Sequence, residues 1–266
     1  HWVWLGATHT RFEHSIAVSH LAGELTTLLQ RQQPELVITD RQVLLVRLAG
    51  LFHDAGHGPF SHMFDDVVLK DSKSPMKHHE QRSCAMFAYV VKKYGFNYTP
   101  EEISFVQSLI MPTMSNNTFF HQIIANHINH LDVDKMEYIK RDARMCGLTT
   151  GGFDTDTVRI INAARVIDGH ICYHEKVYED IYTLFNTRYR LHTTVYQHKS
   201  CVAIQYMIAD ILKEFKYQFE DMVNFCQLDD TVLDKIRHNN PKHPILERID
   251  RRDLYKIPIT YINVKP

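Results

Sequence analysis

The amino-acid sequence predicts a mainly α-helical protein with a small β-hairpin and a short C-terminal strand. Apolar residues recur at helical spacing along most of the 266 residues. Several of these segments begin with a capping residue followed by acidic or amide side chains. Alternating apolar residues flank one Asp-Gly pair and recur near the C-terminus, which is typical of strands. No internal repeat or domain boundary is evident, so a single domain over residues 1–266 is expected.

The composition supports a globular chain in a reducing compartment. A hydrophobic content of 44% is enough for a sizeable core, and a formal charge of −1 argues against a nucleic-acid coat protein. No apolar run reaches the roughly 18 residues of a membrane span. The five cysteines are scattered without any CxxC pair, which favours reduced thiols in a nuclear or cytoplasmic protein. They are Cys84, Cys146, Cys172, Cys201 and Cys226. Because the chain begins at His1 without Met, a fragment of a longer protein is expected.

The first half of the chain predicts four helices. The first runs from Arg11 to about Gln32, and Thr39-Asp40 caps a second that leads into His53-Asp54. A third begins at 78–80, and Thr99-Pro100 with two following acids starts a fourth. The expected buried stripe of the first helix consists of Ile16, Val18, Leu21, Ala22, Leu25 and Leu28.

The second half continues the helical pattern around one hairpin. Residues 119–146 are predicted to be helical, with a break near 126–129. Residues 165–172 form the hairpin, with its turn at Asp168-Gly169. One long helix is expected over 177–213. Two weaker helices around 229–237 and 243–254 and a strand over 257–264 complete the chain.

The stretch from Leu51 to His62 places three histidines and an aspartate at the end of a predicted helix. His53 and Asp54 are adjacent, so they leave a helix about 100° apart and can approach one metal from neighbouring directions. His57 follows four residues after His53. Gly56 and Gly58 then allow the backbone to approach a ligand closely. A bare His-Asp pair is common, and the partners elsewhere in the chain make this stretch more specific.

Two further residues complete a candidate metal set. His14 lies on the first turn of the first helix, three residues after Arg11, although that pair alone also fits an ordinary charged helix start. Asp134 lies on the helix over 119–146. Two imidazoles and two carboxylates suit Fe, Zn, Mn or Mg and leave positions open for water or substrate. The lack of thiolates argues against a closed structural zinc site. His57, Asp65 and His79 are then spare groups for proton transfer, although each alone is commonly structural.

Two helical stripes suit a nucleotide. Asp134, Tyr138 and Asp142 recur at four-residue steps, with Lys135 alongside. The long helix repeats this spacing with a cation, an imidazole and a phenol, which would fit polyphosphate, sugar and base. That second stripe comprises Arg188, His192 and Tyr196, with Gln197 beside them. Both stripes are also compatible with helix faces exposed to solvent.

These motifs together resemble a known family. The order His14…His53-Asp54…Asp134 is similar to the H…HD…D signature of the HD-domain phosphohydrolases. More closely, five segments in register resemble the SAM-and-HD-domain deoxynucleoside triphosphate triphosphohydrolases. The segments are GATHTRFEHS (6–15), AGLFHDAGHGPFSHMFD (49–65), HEQ (79–81), DVDK (132–135) and YQHK (196–199). The resemblance covers nearly the whole chain and implies a helical HD domain that cleaves a dNTP to deoxynucleoside and inorganic triphosphate.

The resemblance also implies residue roles. It assigns the divalent metal to His14, His53, Asp54 and Asp134, and catalysis to His57, Asp65 and His79, with His57 near the scissile ester oxygen. Its substrate residues are Arg11, His62, Lys135, Tyr138, Asp142, Arg188, His192, Tyr196 and Gln197. Tyr196 matches the aromatic that crowds a ribose 2′-hydroxyl. The resemblance further implies Mg²⁺ bound with the nucleotide, a GTP or dNTP activator, and a homo-oligomer (dimer or tetramer).

The activator site departs from the family pattern. The matching residues are Lys176, His198, Lys199, Arg252 and Lys256, whereas Thr157, His174 and Thr194 stand where the family has arginines. Because a charge-assisted hydrogen bond is worth roughly 1.5–3 kcal/mol, losing three cations should weaken this site considerably. The family's SAM domain and the segment before Gly6, which carries a sugar-contacting Gln-Leu pair, are not in this chain.

Two alternatives remain open at this point. One is another HD-type nucleotide phosphohydrolase, such as a 5′-nucleotidase or a cyclic-dinucleotide or alarmone hydrolase. The other is a nucleotide-sensing or nucleic-acid-binding module with an inactive site. The near-neutral charge and the lack of a basic aromatic groove count against nucleic-acid binding. No membrane partner is expected.

Overall fold

A computed structural model of the chain describes residues 3–113, 118–148, 157–214 and 221–256. The mainly α-helical class predicted from the sequence is confirmed. The α-helices are α1 (Arg11–Gln32), α2 (Asp40–Phe52), α3 (His79–Tyr94), α4 (Pro100–Ile110), α5 (His121–Ile124), α6 (Val133–Met145), α7 (Thr157–Asn162), α8 (Tyr178–Leu191), α9 (Lys199–Lys213), α10 (Met222–Phe225), α11 (Val232–Asn239) and α12 (Pro244–Asp250). Short 3₁₀ turns cover Pro34–Leu36 and Glu175–Val177, and π-helical turns cover Phe64–Val68 and His192–Tyr196.

Local capping chemistry determines where three of the long helices begin. Thr10, Thr39 and Thr99 precede α1, α2 and α4, and each side chain accepts a hydrogen bond from the backbone three residues later. In each case the third helical residue, Glu13, Gln42 or Glu102, bonds back to the cap. This reciprocal arrangement satisfies backbone donors that an open helix end would leave unpaired.

Helix α1 forms the centre of the main core. It packs along α2 and also contacts α5, α6 and the first hairpin strand. Val18, Ala22 and Leu25 are buried as the apolar pattern predicted, and Leu29 joins them. Ile16 is 48% exposed, so its predicted burial was wrong. Polar His14, two residues earlier in α1, is buried instead, because it turns towards α2 and α6.

The hairpin matches its prediction. Strands β1 (Ala164–Ile167) and β2 (His170–Tyr173) pair antiparallel, with Ile167 opposite His170. Asp168 and Gly169 both have positive φ (50° and 79°), as a tight type I′ turn requires. The strand predicted over 257–264 lies outside the described residues.

The single helix predicted over 177–213 is interrupted. Helix α8 ends at Leu191, a π-helical turn follows, and α9 begins after His198, whose Nδ1 accepts a hydrogen bond from Ser200 N. In the π turn, Gln197 N bonds His192 O at 3.0 Å, five residues back. The π turn shifts the helical hydrogen-bond register by one residue. The sequence pattern does not reveal it, because apolar residues recur at helical spacing on both sides of the turn. The break predicted near 126–129 is wider than expected, since α5 ends at Ile124 and α6 begins at Val133. Helices α11 and α12 correspond to the two weaker predicted helices.

A second core packs against the segment that follows the His-Asp motif. Phe64 is fully buried with Met207, Ile211 and Leu212 of α9, and Phe225 of α10 belongs to the same cluster. Within the described part of the chain, no helix combines the length and apolarity needed to cross a membrane.

The turn after α2 is fixed by close contact with α3. A Cβ on Gly56 would lie 2.2 Å from His79 O and 2.3 Å from Ser83 N, so only glycine fits there. Arg82, which is 0% exposed, donates to Gly56 O at 2.8 Å and to Met76 O at 2.7 Å. Its guanidinium also donates to Lys77 O at 2.6 Å and to the Asp65 carboxylate. One buried cation therefore holds this turn and the start of the π-helical segment together.

Replacing Arg82 is expected to destabilise the protein strongly. In Arg82→Met the buried Asp65 carboxylate loses its cation, which costs about 3–5 kcal/mol. The matched control is Arg237→Met, because Arg237 pairs with Asp250 at the surface, where both side chains are about half exposed. A surface pair contributes about 0–1 kcal/mol. Urea unfolding of both variants measures the difference, and equal losses would contradict the structural role of Arg82.

Candidate active site

Most of the predicted functional residues line one cavity of about 730 Å³. Its walls come from the start of α1, the turn after α2, the first residues of α3, the loop after α5, helix α6 and the α8 end with its π turn. A cavity of this volume is in the usual range for small-molecule sites. The predicted residues in its wall are Arg11, His14, His53, Asp54, His62, His79, Asp134, Lys135, Tyr138, Asp142, Arg188, His192 and Tyr196.

The four predicted metal ligands converge at the floor of this cavity. His14 Nε2 lies 3.1 Å from Asp134 Oδ1 and 3.5 Å from Asp54 Oδ2. His53 Nε2 lies 3.5 Å from both Asp54 Oδ1 and Asp134 Oδ1. The structure thus brings together residues from α1, the end of α2 and α6 that are up to 120 positions apart in the chain.

In both histidines the Nδ1 atom makes a hydrogen bond that points away from the cluster. His14 Nδ1 donates to the Glu137 carboxylate, and His53 Nδ1 donates to Gly50 O at 2.8 Å. Each Nε2 is therefore left to face inwards, and that of His53 is buried with no hydrogen-bond partner in the part of the chain that the structure describes. Two inward lone pairs facing two carboxylates repel one another unless a cation lies between them.

This donor set fits a divalent metal. Metal-ligating histidines commonly donate their other ring N–H to a carboxylate or a backbone carbonyl, as His14 and His53 do. Imidazole and carboxylate together are compatible with Fe, Zn, Mn or Mg, and the donor atoms alone do not select one of them. His14, His53 and Asp134 each offer a ligand atom within 4.8 Å of the others.

The pKa shifts at this cluster show that its carboxylates strongly stabilise a positive charge beside them. Burial lowers the pKa of His14, but hydrogen bonds to Asp134 and Glu137 outweigh it and raise that pKa to about 9. Burial would raise the pKa of Asp134, whereas the adjacent imidazoles of His14 and His53 hold it well below its usual range. The cluster therefore stabilises anionic carboxylates next to a cation.

Arg11 connects the metal cluster to the open cavity. Its Nη1 donates to Asp54 Oδ2, and its Nε donates to Ser61 Oγ at 2.8 Å. The guanidinium thus shares a carboxylate with the candidate metal centre, at the position where an anionic substrate would enter.

Three further histidines form a wall beside the metal cluster. The rings of His57 and His79 stack at 3.8 Å with an interplanar angle of 14°, and His62 meets both edge-on. A histidine lone pair lies in its ring plane, so nearly parallel stacked rings cannot both direct a lone pair at one ion. This wall therefore suits hydrogen bonding and proton transfer better than chelation.

His57 lies behind the cavity surface and is neutral. Its side chain is 2% exposed, neither ring nitrogen has a hydrogen-bond partner among the described residues, and Nε2 is 3.5 Å from Asp54 Oδ1. Burial lowers the pKa of His57 to about 3, although Asp54 opposes this shift. The ring therefore has one donor and one acceptor nitrogen near pH 7.

A buried carboxylate orients His79. Asp65 Oδ2 accepts from the His79 backbone N at 2.9 Å and lies 3.1 Å from its Nδ1. With Nδ1 occupied, His79 Nε2 is the free ring nitrogen at the cavity, 3.5 Å from Glu80 Oε1. Burial would raise the pKa of Asp65, but His79 and Arg82 together hold it below its usual value. Asp65 therefore acts through His79 and does not line the cavity.

Another part of the cavity wall consists of tyrosines that are hydrogen-bonded to charged groups. Arg188 Nε donates to Tyr138 Oη at 3.1 Å, which joins α8 to α6. The Tyr196 hydroxyl donates to Asp142 Oδ2, and His9 Nε2 lies 2.8 Å from Asp142 Oδ1. His9 was not identified from the sequence, because its partner is 133 residues away and no local pattern marks it.

Lys135 has a buried partner within its own helix turn. Its Nζ lies 2.9 Å from Asp132 Oδ2, while Asp132 Oδ1 accepts from Lys135 N and caps α6. The lysine lines the cavity and also compensates a carboxylate that is 1% exposed.

The remaining predicted residues lie outside the cavity wall. Gln197 is exposed just after the π turn. Of the activator residues, Lys176, Lys199, Arg252 and Lys256 are exposed, and His198 packs edge-on against Trp4 with ring centroids 6.3 Å apart. Thr157 is buried, whereas His174 and Thr194 are exposed. The roles assigned to these residues stay predictions.

Comparisons with known proteins identify relatives that match most of this chain. The chain is 40% identical to the deoxynucleoside triphosphate triphosphohydrolase SAMHD1 homolog of Dictyostelium discoideum, over 94% of this chain and 51% of that protein. It is 35% identical to the deoxynucleoside triphosphate triphosphohydrolase SAMHD1 of Bos taurus, over 96% of this chain and 51% of that protein. It is 36% identical to a putative HD domain-containing protein, L394, of Acanthamoeba polyphaga mimivirus, over 87% of this chain and 54% of that protein.

The chain spans about half the length of the curated relatives it matches. The model of the HD domain matches residues 11–144, and that of the HD associated region matches residues 155–265. The first match contains the four converging ligands and the three-histidine wall, so the chain belongs to the HD-domain family.

Proposed function

We propose that this protein is a metal-dependent dNTP triphosphohydrolase, which cleaves a dNTP to deoxynucleoside and inorganic triphosphate. The observation that carries the proposal is one cavity whose wall contains a two-histidine, two-carboxylate cluster together with cations and tyrosines. Relatives named as such triphosphohydrolases match over most of this chain, and this supports the same reaction here.

The metal would be held by His14, His53, Asp54 and Asp134. Bound there, a divalent metal supplies Lewis acidity to a phosphoryl oxygen and lowers the pKa of a coordinated water. The α-phosphate belongs at this end of the cavity, because attack at that phosphorus releases the triphosphate in one piece.

Cations along the cavity would bind the remaining phosphate oxygens. Arg11, Lys135 and Arg188 all line it, and each now bonds Asp54, Asp132 or Tyr138. Guanidinium and ammonium groups that are already positioned lose little freedom on binding an anion. A nucleotide would enter with Mg²⁺ on its phosphates.

The three-histidine wall would donate the proton that the leaving ester oxygen requires. Neutral His57 has buried ring nitrogens with no hydrogen-bond partner in the described part of the chain, so a substrate oxygen that reached behind the cavity surface could bond one of them. The anionic phosphate would raise the pKa of a nearby imidazole and favour proton donation to the leaving oxygen. Asp65 fixes the orientation of His79, whose Nε2 reaches the cavity. His62 stands edge-on to both rings and would orient the same phosphate.

The tyrosine wall would hold the deoxyribose and base. Tyr196 and Tyr138 provide aromatic surface, and His192 meets the Tyr196 ring edge-on at 4.9 Å. The Asp142 carboxylate can accept a hydrogen bond from a sugar hydroxyl, while His9 and the Tyr196 hydroxyl hold that carboxylate in place. Because Tyr196 is fixed at this carboxylate, it would crowd a ribose 2′-hydroxyl.

Three wider expectations belong to the proposal. A GTP or dNTP would act as activator at Lys176, His198, Lys199, Arg252 and Lys256. The protein would form a homo-oligomer (dimer or tetramer), and it would act in the nucleus or cytoplasm. Thr157, His174 and Thr194, which stand in place of family arginines, would make activator binding weak.

Product analysis is the direct test of the reaction. Protein loaded with Fe, Mn or Zn and incubated with each dNTP, with and without GTP, is expected to release deoxynucleoside and triphosphate in a 1:1 ratio. Chromatography with phosphate detection separates triphosphate from other products. Release of phosphate or pyrophosphate would favour another HD phosphohydrolase, and intact dNTPs under every condition would favour a binding module.

His53→Ala is expected to abolish both metal binding and turnover. The variant removes the buried Nε2 that faces both carboxylates. Bound metal is measured by inductively coupled plasma mass spectrometry and turnover by triphosphate release. His20→Ala is the matched control, since His20 is exposed on α1 outside the cavity. Full metal content or activity in His53→Ala would contradict the assigned ligand.

Tyr196→Ala is expected to admit ribonucleotides. Loss of the ring opens the space beside Asp142, so the ratio of kcat/KM for dNTP over NTP should fall at least about tenfold, which corresponds to about 1.4 kcal/mol of transition-state discrimination. Tyr189→Ala is the control, because Tyr189 is 67% exposed on α8 and lies outside the cavity wall. If the ratio stays at the wild-type value, Tyr196 does not select the sugar.

A further inference from the structure

Glu137 is a buried carboxylate directly behind a candidate metal ligand. Its side chain is 7% exposed, and one oxygen accepts the hydrogen bond from His14 Nδ1. Glu137 follows Asp134 by three residues, so one face of α6 supplies both a candidate ligand and the group behind another ligand. Neither the H…HD…D pattern nor the helical stripes identify Glu137.

Arg141 supplies the positive charge that this buried carboxylate requires. Its Nε donates to Glu137 Oε1 at 2.7 Å, and its Nη2 also contacts the same oxygen. Nη2 further donates to Glu13 O at 3.2 Å, which anchors the guanidinium to the first turn of α1. A buried carboxylate without such a partner would be strongly unfavourable. The chain His14–Glu137–Arg141 therefore connects α1 and α6 next to the candidate metal.

We propose that Glu137, held by Arg141, is the positioning residue for the metal ligand His14. The Glu137 hydrogen bond fixes the His14 ring with Nε2 directed at Asp54 and Asp134, and the carboxylate increases the basicity of that nitrogen. The inference rests on the metal centre in the proposed function, but not on the identity of the substrate.

The charge balance of the cluster gives Glu137 a second consequence. Asp54, Asp134 and Glu137 contribute three negative charges, and Arg11 and Arg141 contribute two positive charges. With both histidines counted as neutral metal ligands, these five groups sum to −1, and a divalent metal changes the sum to +1. That sign change favours binding of the metal first and a polyphosphate afterwards.

The test is metal affinity measured without nucleotide. In Glu137→Gln the amide can accept from His14 only by turning its NH₂ towards the donors of Arg141, so His14 is held less firmly. We expect the dissociation constants for Mn²⁺ and Co²⁺, from competition with a fluorescent chelator, to rise about tenfold to a hundredfold. Glu24→Gln is the matched control, because Glu24 is an exposed carboxylate of α1 outside the cavity.

A spectroscopic readout separates positioning from a purely structural role. The d–d absorption of bound Co²⁺ should change in energy or intensity in Glu137→Gln, because the His14 ring takes a different orientation, and remain unchanged in Glu24→Gln. A loss of thermal stability with wild-type metal affinity and an unchanged Co²⁺ spectrum would overturn the proposal. If circular dichroism shows that Glu137→Gln is unfolded, Glu137→Asp replaces it with the same criterion, since a shorter carboxylate cannot hold the ring at the same position.

These measurements remain informative if the proposed reaction is wrong. If Glu137→Gln binds metal more weakly but the wild type cleaves no dNTP, the positioning role stands and only the proposed substrate is wrong. Triphosphate release by the wild type with unchanged metal affinity in Glu137→Gln would remove only the positioning role.

Discussion

Compensation of buried negative charge governs this structure. Four acidic side chains near the cavity each have a dedicated cation, and these pairs are Arg11–Asp54, Arg82–Asp65, Lys135–Asp132 and Arg141–Glu137. Asp134 differs from them, because among the described residues its ion-pair contacts are with His14 and His53 and with no lysine or arginine. Its charge is thus available to a metal. The packing of α1 against α2 and α6 produces this arrangement, since it brings Arg11 next to Asp54 and Arg141 next to the start of α1.

Local sequence signals were sufficient for much of the helical framework. The caps at Thr10, Thr39 and Thr99 act over three residues, so α1, α2 and α4 begin where the sequence predicted. The Asp168-Gly169 turn is equally local, because it depends on the φ preferences of two residues. Ile16 was misassigned because an apolar side chain at the edge of a helical stripe can face either core or solvent, and only the neighbouring helices decide.

The candidate site was predictable only in part. His14, His53, Asp54 and Asp134 were identifiable because their order matches a family signature, and the structure brings them together. Glu137, Arg141 and His9 were missed, since their roles depend on contacts with residues more than 120 positions away. Lys135 was predicted as a substrate residue from its place beside a helical stripe and from the family resemblance, and its second role as the partner of Asp132 is visible only when burial is known.

The two π-helical turns make the site sensitive to chain length. Phe64–Val68 contains Asp65, and His192–Tyr196 ends on the tyrosine at Asp142. A π turn holds one more residue than an α turn, so each is equivalent to a single inserted residue. Deleting that residue would leave composition, charge and helix caps almost unchanged. In the second turn it would nevertheless rotate Tyr196 by about 100° around the helix axis and so move its hydroxyl away from Asp142. The spacing along the chain, and not only the side chains themselves, therefore encodes the geometry of the site.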